Sequence, residues 1–246
     1  HDDGEVGAFG TVVDISASKA DEARTLALKD RLMGIASHDL RNPLSAVKMS
    51  ASLLSRSEHL DEREQRLVST ISLSVERMTR LIAQLLDLTR ARLGGGLPVS
   101  RRPVELKPLV ESLADETRLA TGRSIELHVS PVCASVDADR LGQVVSNLLG
   151  NAARHSAPDT PITVTLAPAG TGARLVVENR GAQIPPALLP TLFEPFVQGT
   201  SASAREGLGL GLFISREVVR AHGGQLTASS TADGVTTFTV ELPAPD

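Results

Sequence analysis

The chain has 246 residues, 41% hydrophobic and 22% charged, which fits one or two globular domains and excludes wholesale disorder. Its 25 basic and 29 acidic side chains give a net charge of −4, which argues against a nucleic-acid-binding surface, and with no Trp, no Tyr and five Phe a base-stacking platform is excluded too. A single cysteine, Cys133, rules out an intrachain disulfide and fits a reducing, cytoplasmic compartment.

Residues 1–10 (HDDGEVGAFG) lack the apolar stretch of a signal peptide, and no run approaches the ~20 apolar residues of a membrane span. Without an initiator Met, the sequence is expected to belong to a longer protein. GTVVDI reads as one short strand, the end of a sheet domain or a strand that pairs across a dimer. Ser16 or Ser18 can cap the helix that follows. Over residues 19–56, Met33, Ala36, Leu40, Leu44, Val47, Ala51 and Leu54 fall within about 80° of one another on a helical wheel. That is a narrow seam suited to a helical hairpin. After the polar break SEHLD, a second helix is expected from Glu62 to Leu93, with Leu67, Ile71, Val75, Met78, Leu81, Ile82, Leu85 and Leu88 apolar. Two such helices bury too little alone, so a dimeric four-helix bundle is expected.

Gly94-Gly95-Gly96 ends the hairpin and marks a hinge. Beyond it the pattern mixes strands and helices: VEL (104–106), a helix over 108–120, strands at 124–130 and 134–137, and a helix over 138–155 capped by Asp137 or Asp139. Strands at 162–168 and 173–179 come next, then a short helix after Pro185-Pro186 and a polar loop at 197–206. A helix over 208–221 and a final hairpin about Asp233-Gly234 close the chain. The pattern predicts a two-layer α/β sandwich with helices on one face of a mostly antiparallel sheet.

Three segments can carry chemistry. In SHDLRNPL, His38 lies roughly 170° from the apolar seam, and Asn42 shares its exposed face. Pro43 removes a backbone hydrogen bond to Asp39 and should kink the helix there. An exposed His beside an Asp can be a nucleophile, although the same residues also suit a solvated helix face. In NLLGNAARHS, Asn147 and Asn151 project from one face, with Arg154 and His155 a turn further on. Amide oxygens suit Mg²⁺ and an arginine suits phosphate, although a plain polar helix face has the same pattern. GLGLGL, before a helix, lets backbone amides approach an anion, but its spacing matches neither a dinucleotide fingerprint nor a P-loop.

These motifs, in this order, resemble the transmitter region of bacterial sensor histidine kinases of two-component systems. SHDLRNPL is similar to the H box, DADRLGQVVSNLLGNAARHS to the N box, LFEPF to the F box and GLGLGLFISREVVRAHGG to the G2 box. GTVVDIS resembles the end of a PAS sensor domain. The resemblance divides the chain into a PAS-like end (1–16), a signalling helix with phosphotransfer hairpin (17–96) and a GHKL-type ATP-binding domain (97–246). It implies that His38 is phosphorylated, that Asp39 orients it as general base, and that Asn42 positions water for dephosphorylation of a partner. It implies that Asn151 holds Mg²⁺, with Asn147 and Arg154 near the phosphates of ATP and His155 against the nucleotide. Gly207, Gly209 and Gly211 would line the ATP lid, with Phe193 and Phe196 at its base. Thr236, in the closing hairpin, joins the ATP-binding set.

The family's Asp-x-Gly-x-Gly before Ile-Pro reads NRGAQIP here. Asn179 takes the place of the adenine-binding Asp, Gly181 is kept, and Gln183 replaces the second Gly. The implied partners are a second copy of the chain and a response-regulator receiver domain, with no nucleic acid. Two other functions stay open: a phosphotransfer or phosphatase scaffold that hardly binds ATP, and a GHKL-type ATPase.

Overall fold

The computed structural model describes residues 42–55, 57, 60–92, 96–198 and 208–244. The PAS-like end, the first part of the hairpin with Met33, Ala36, His38, Asp39 and Leu40, the hinge residues Gly94 and Gly95, and Gly207 lie outside the described residues.

Helix α1 is described over residues 42–55 and α2 spans Glu62–Arg92. The turn between them ends in a reciprocal cap. The Glu64 amide donates to Oδ1 of Asp61 at 2.8 Å, and the Asp61 amide donates to Oε2 of Glu64 at 2.9 Å. Amides that a helix start leaves without intrahelical partners are thereby satisfied. Nζ of Lys48 lies 3.2 Å from Oε1 of Glu76, so the two helices run side by side. The apolar positions divide into two faces. Ala51, Val68 and Val75 are buried inside the hairpin, whereas Val47, Leu54, Leu67, Ile71, Met78 and Leu85 stay exposed.

The last turns of α2 leave the hairpin for the next domain. Leu88 belongs to that domain's core and Ala91 packs against it. Asp87 is 3% exposed, and its Oδ2 accepts from Nη1 of Arg140 at 2.8 Å.

The second unit runs β1 (Arg102–Glu105), α3 (Leu106–Thr121), β2 (Ile125–Val129), β3 (Cys133–Val136), α4 (Ala138–His155), β4 (Ile162–Ala169), β5 (Gly172–Arg180), α5 (Gly211–Ala221), β6 (Gln225–Ser230) and β7 (Val235–Leu242). The main sheet has the order β2-β4-β5-β7-β6, parallel between β2 and β4 and antiparallel elsewhere. Ile162, Val164 and Leu166 alternate inward along β4 and meet Leu141, Val144, Val145, Leu148 and Leu149 of α4. That alternation, one sheet face on the core and one outward, fixes the two-layer sandwich.

The structure differs from the sequence-based expectation at four points. The segments at 104–106 and 134–137 pair with each other in a separate two-stranded ribbon. Helix α3 begins at Leu106, so Pro108 sits in its first turn, where its missing N–H costs nothing. After Pro185-Pro186 there is only a 3₁₀ turn, Leu189–Thr191. Helix α5 begins at Gly211 rather than residue 208, because Gly209 takes a left-handed φ of 66°.

Candidate functional site

Helix α4 carries the site, and Asp137 fixes where it starts. Its Oδ1 accepts the Arg140 amide at 3.1 Å and its Oδ2 the Ser100 amide at 3.0 Å, so Asp137 rather than Asp139 is the cap. The Ser100 amide is the main reason the Asp137 carboxyl lies below the usual carboxylate range. Burial opposes this, while the Arg140 and Asp139 amides assist it. The Asp137 amide donates to Nε2 of His222 at 2.9 Å, which leaves the ring proton on Nδ1, 2.8 Å from the Val218 carbonyl oxygen. His222 is 0% exposed and ties the end of α5 to the start of α4.

One face of α4 fills the core. Its other face opens on a cavity of about 310 Å³, lined successively by Asn147, Asn151, Arg154 and His155. The spacing of about one turn between the two asparagines puts their amides on the same wall. Partial burial, and secondarily the charge of Arg154, pull the His155 pKa down from its ordinary value.

The opposite wall comes from the sheet. Asn179 on β5 stands in register with Thr236 on β7, and both line the cavity. Asn179 is only 4% exposed, yet its side chain makes no hydrogen bond to another described residue and its polar atoms stay open to the cavity. Thr236 Oγ1 shares a hydrogen bond with Ser230 Oγ at 3.0 Å, and Ser230 also accepts the Ile184 amide at 3.0 Å. Gln183 lines the cavity beside this group.

The third wall is the start of α5. Gly209 and Gly211 line it, and α5 has neither a side-chain cap nor an acid in its first turn. A Cβ on Gly211 would lie 2.3 Å from Oδ1 of Asn147, whose Nδ2 donates to Ser215 Oγ at 2.9 Å. The Phe196 amide donates to the Gly209 carbonyl at 3.0 Å, with Phe196 itself 55% exposed at a φ of 68°. Phe193 packs against the core, and the Arg216 guanidinium lies over the Phe193 and Phe213 rings at 6.0 and 5.8 Å.

The cavity thus gathers Asn147, Asn151, Arg154, His155, Asn179, Thr236, Gly209 and Gly211. Gly181 is not on its wall. A Cβ there would lie 2.0 Å from the His155 carbonyl oxygen, so the glycine lets β5 close against the end of α4. Asn42 is exposed on α1, away from the cavity, while His38, Asp39 and Gly207 lie outside the described residues. Sequence reasoning missed Ser215, Ser230 and Gln84. Ser215 was legible as one turn beyond Gly211, and Ser230 as the hairpin partner of Thr236. Gln84 reaches the cavity from α2 and has no local signature.

Residues 28–94 match the family described as His Kinase A (phospho-acceptor) domain. Residues 136–246 match the family described as Histidine kinase-, DNA gyrase B-, and HSP90-like ATPase. The solved structure of the mycobacterial sensor histidine kinase MprB is 33% identical, is covered in full by 59% of this chain, and superposes with a TM-score of 0.53. The chain belongs to the sensor histidine kinases. A full-length ShkA structure in complex with AMPPNP matches this histidine kinase with a TM-score of 0.70 and 25% identity, over 88% of this chain and 46% of that one. A bacteriophytochrome of Pseudomonas aeruginosa is 40% identical over 88% of this chain and 30% of its own length. The probable sensor histidine kinase TcrY of Mycobacterium tuberculosis is 35% identical over 97% of this chain and 52% of its own length. The histidine kinase chain therefore spans about half or less of these curated relatives.

Proposed function

We propose that this chain transfers the γ-phosphoryl group of ATP to a ring nitrogen of His38 and passes it on to an aspartate of a response-regulator receiver domain. The observation that carries the reading is the cavity in which the amides of α4, Asn179, unpartnered among the described residues, and the glycine-bounded start of α5 converge. A helix start without its own acid favours a phosphate group there. At the other end the Asn179 carbonyl accepts from the adenine amino group, beside Thr236, and Gly181 holds that strand end in place. Arg154 approaches the phosphates and His155 lies along the nucleotide.

Among the described residues no cluster of His, Cys, Asp or Glu could hold a metal by itself. An Mg²⁺ ion would rest on the Asn151 amide and phosphate oxygens, a donor set that suits this ion, and would offset phosphate charge. The reaction breaks the γ-phosphate bond of ATP, releases ADP and forms a nitrogen–phosphorus bond on His38, whose ring proton goes to Asp39. Asn42 positions the water that dephosphorylates the partner.

The exposed apolar stripe of α1 and α2 supports a homodimer closed as a four-helix bundle. We assign residues 17–96 to the signalling helix and hairpin, 97–246 to the ATP-binding domain and 1–16 to the end of a PAS-like domain, in a cytoplasmic setting. The test is incubation with labelled ATP of the wild type and His38→Gln. Acid-labile label on the wild type and none on the variant is the expected result, and label retained on the variant sinks the assignment. Because Asn179 lacks the charge of the family's Asp, a phosphotransfer scaffold with little ATP binding is the second reading, and an ATP titration separates the two.

A further inference from the structure

Helix α2 contributes to the cavity as well as to the hairpin. Gln84, Asp87, Leu88 and Ala91, three or four residues apart, present one face of its last turns to the second unit. Leu88 joins that unit's core, and Asp87, 3% exposed, pairs with Arg140 at 2.8 Å. Arg140 Nη1 is also held by Oε1 of Gln143 at 3.1 Å. Gln84, half-buried, lines the cavity and makes no hydrogen bond to another described residue.

The order of residues along α4 fixes the end of the cavity at which Gln84 enters. Arg140, held by Gln143, meets Asp87 at the start of the helix. Asn147 follows one turn later, against Gly211, while Arg154 and His155 lie at the far end, where Gly181 brings in the strand of Asn179. Gln84 therefore stands on the Asn147–Gly211 side, opposite Asn179.

We propose that Gln84 is a nucleotide contact supplied by the hairpin, directed at the phosphate chain rather than the base, with the Asp87–Arg140 ion pair as the clamp that holds it there. The proposal rests on the reading of the cavity as the nucleotide site. A glutamine amide donates to phosphate oxygens without bringing a charge of its own. Breaking a buried ion pair from one side strands the other charge, so the clamp is strong toward loss of either partner. By linkage, whatever affinity Gln84 adds for a nucleotide, the nucleotide adds equally to docking of α2 on the second unit. A triphosphate should favour that docking and adenosine should not.

The experiment is calorimetric titration of the full chain with Mg²⁺ and either the non-hydrolysable triphosphate AMPPNP or adenosine. If the wild type binds neither, the nucleotide reading fails, and this inference with it. If it binds AMPPNP, Gln84→Glu is expected to weaken that binding at least tenfold while adenosine changes less than twofold. Gln84→Leu, of similar size and uncharged, should weaken AMPPNP about threefold, with an unfolding transition like that of the wild type. Asp87→Asn should weaken AMPPNP to a similar degree, and the Asp87→Asn, Gln84→Leu pair no further than the weaker single variant, because the clamp acts through Gln84. AMPPNP affinity unchanged by Gln84→Glu, or an equal loss for both ligands, overturns the proposal. So does full additivity of the pair.

Discussion

Gly211 and Asn147 approach so closely that a Cβ at position 211 would lie 2.3 Å from Asn147 Oδ1. The glycine is there because the side-chain amide of α4 occupies the space that any other residue would need. Gly211→Ala should therefore push Asn147 out of its place and break its 2.9 Å bond to Ser215. We expect ATP binding at least tenfold weaker, with the unfolding midpoint little changed because alanine favours the helix. Titration calorimetry beside a thermal melt checks both halves.

Asn179 offers a second test. Asn179→Asp places a carboxylate at a position that is 4% exposed and has no partner in the described structure. The ligand-free protein should lose about 1–3 kcal/mol of stability from desolvation. If Asn179 faces adenine as proposed, the base supplies a donor, so ATP should bind severalfold more tightly, while GTP, which presents an oxygen there, should gain nothing. Paired titrations with the two nucleotides decide it, and an equal change for both would mean that Asn179 does not read the base edge.

Asp137 predicts a pH dependence. Its carboxyl titrates below the ordinary value of 3.8 in the folded chain, first because of the Ser100 amide. A depressed carboxylate pKa gives stability that is fully present above the unfolded value and is lost as pH falls through the folded value. Asp137→Asn keeps a cap acceptor and removes the charge. The variant should be less stable than the wild type at about pH 7, and the gap should close as pH drops below about 4. Thermal melts across that range measure it.

On α2, Ile71, Met78 and Leu85 repeat every seven residues and are 43%, 44% and 49% exposed in the single chain. A seven-residue apolar repeat is the pattern of a helix that faces another helix. Ile71→Glu should shift the proposed dimer toward monomer at least tenfold in sedimentation, with helix content in circular dichroism nearly unchanged. A dimer of unaltered strength would move the interface to another face.

Much of this was legible in the sequence because the signals are local. The periodicity of Leu141, Val144, Val145, Leu148 and Leu149 announces α4 and its core face, and Asn147 and Asn151 line the cavity on the other face. The alternation along β4, β5 and β7 and the Asp233-Gly234 turn announce the sheet. What stayed hidden depends on partners far along the chain. Asp87 reads as one more charge on a helix surface, yet its partner Arg140 lies 53 residues away and buries it. His222 reads as part of a helix stop, yet it accepts an amide 85 residues away. VEL and ASVD read as strands of one sheet, and only tertiary packing gives them a ribbon of their own.

That distant amide makes His222 a test of the same point. His222→Ala would leave a gap and strip the Asp137 N–H of its acceptor, at a cost of about 2–4 kcal/mol in chemical denaturation.

The Phe196 amide and the Gly209 carbonyl meet at 3.0 Å, so the chain between them begins and ends at one fixed point. Once such ends are joined, doubling the length of the connecting segment costs only roughly 0.6 kcal/mol more. Gly209 and Gly211 therefore keep their register against Asn147 through this closure rather than through the length of chain it joins. One backbone hydrogen bond thus anchors the glycine wall of the cavity at its entrance.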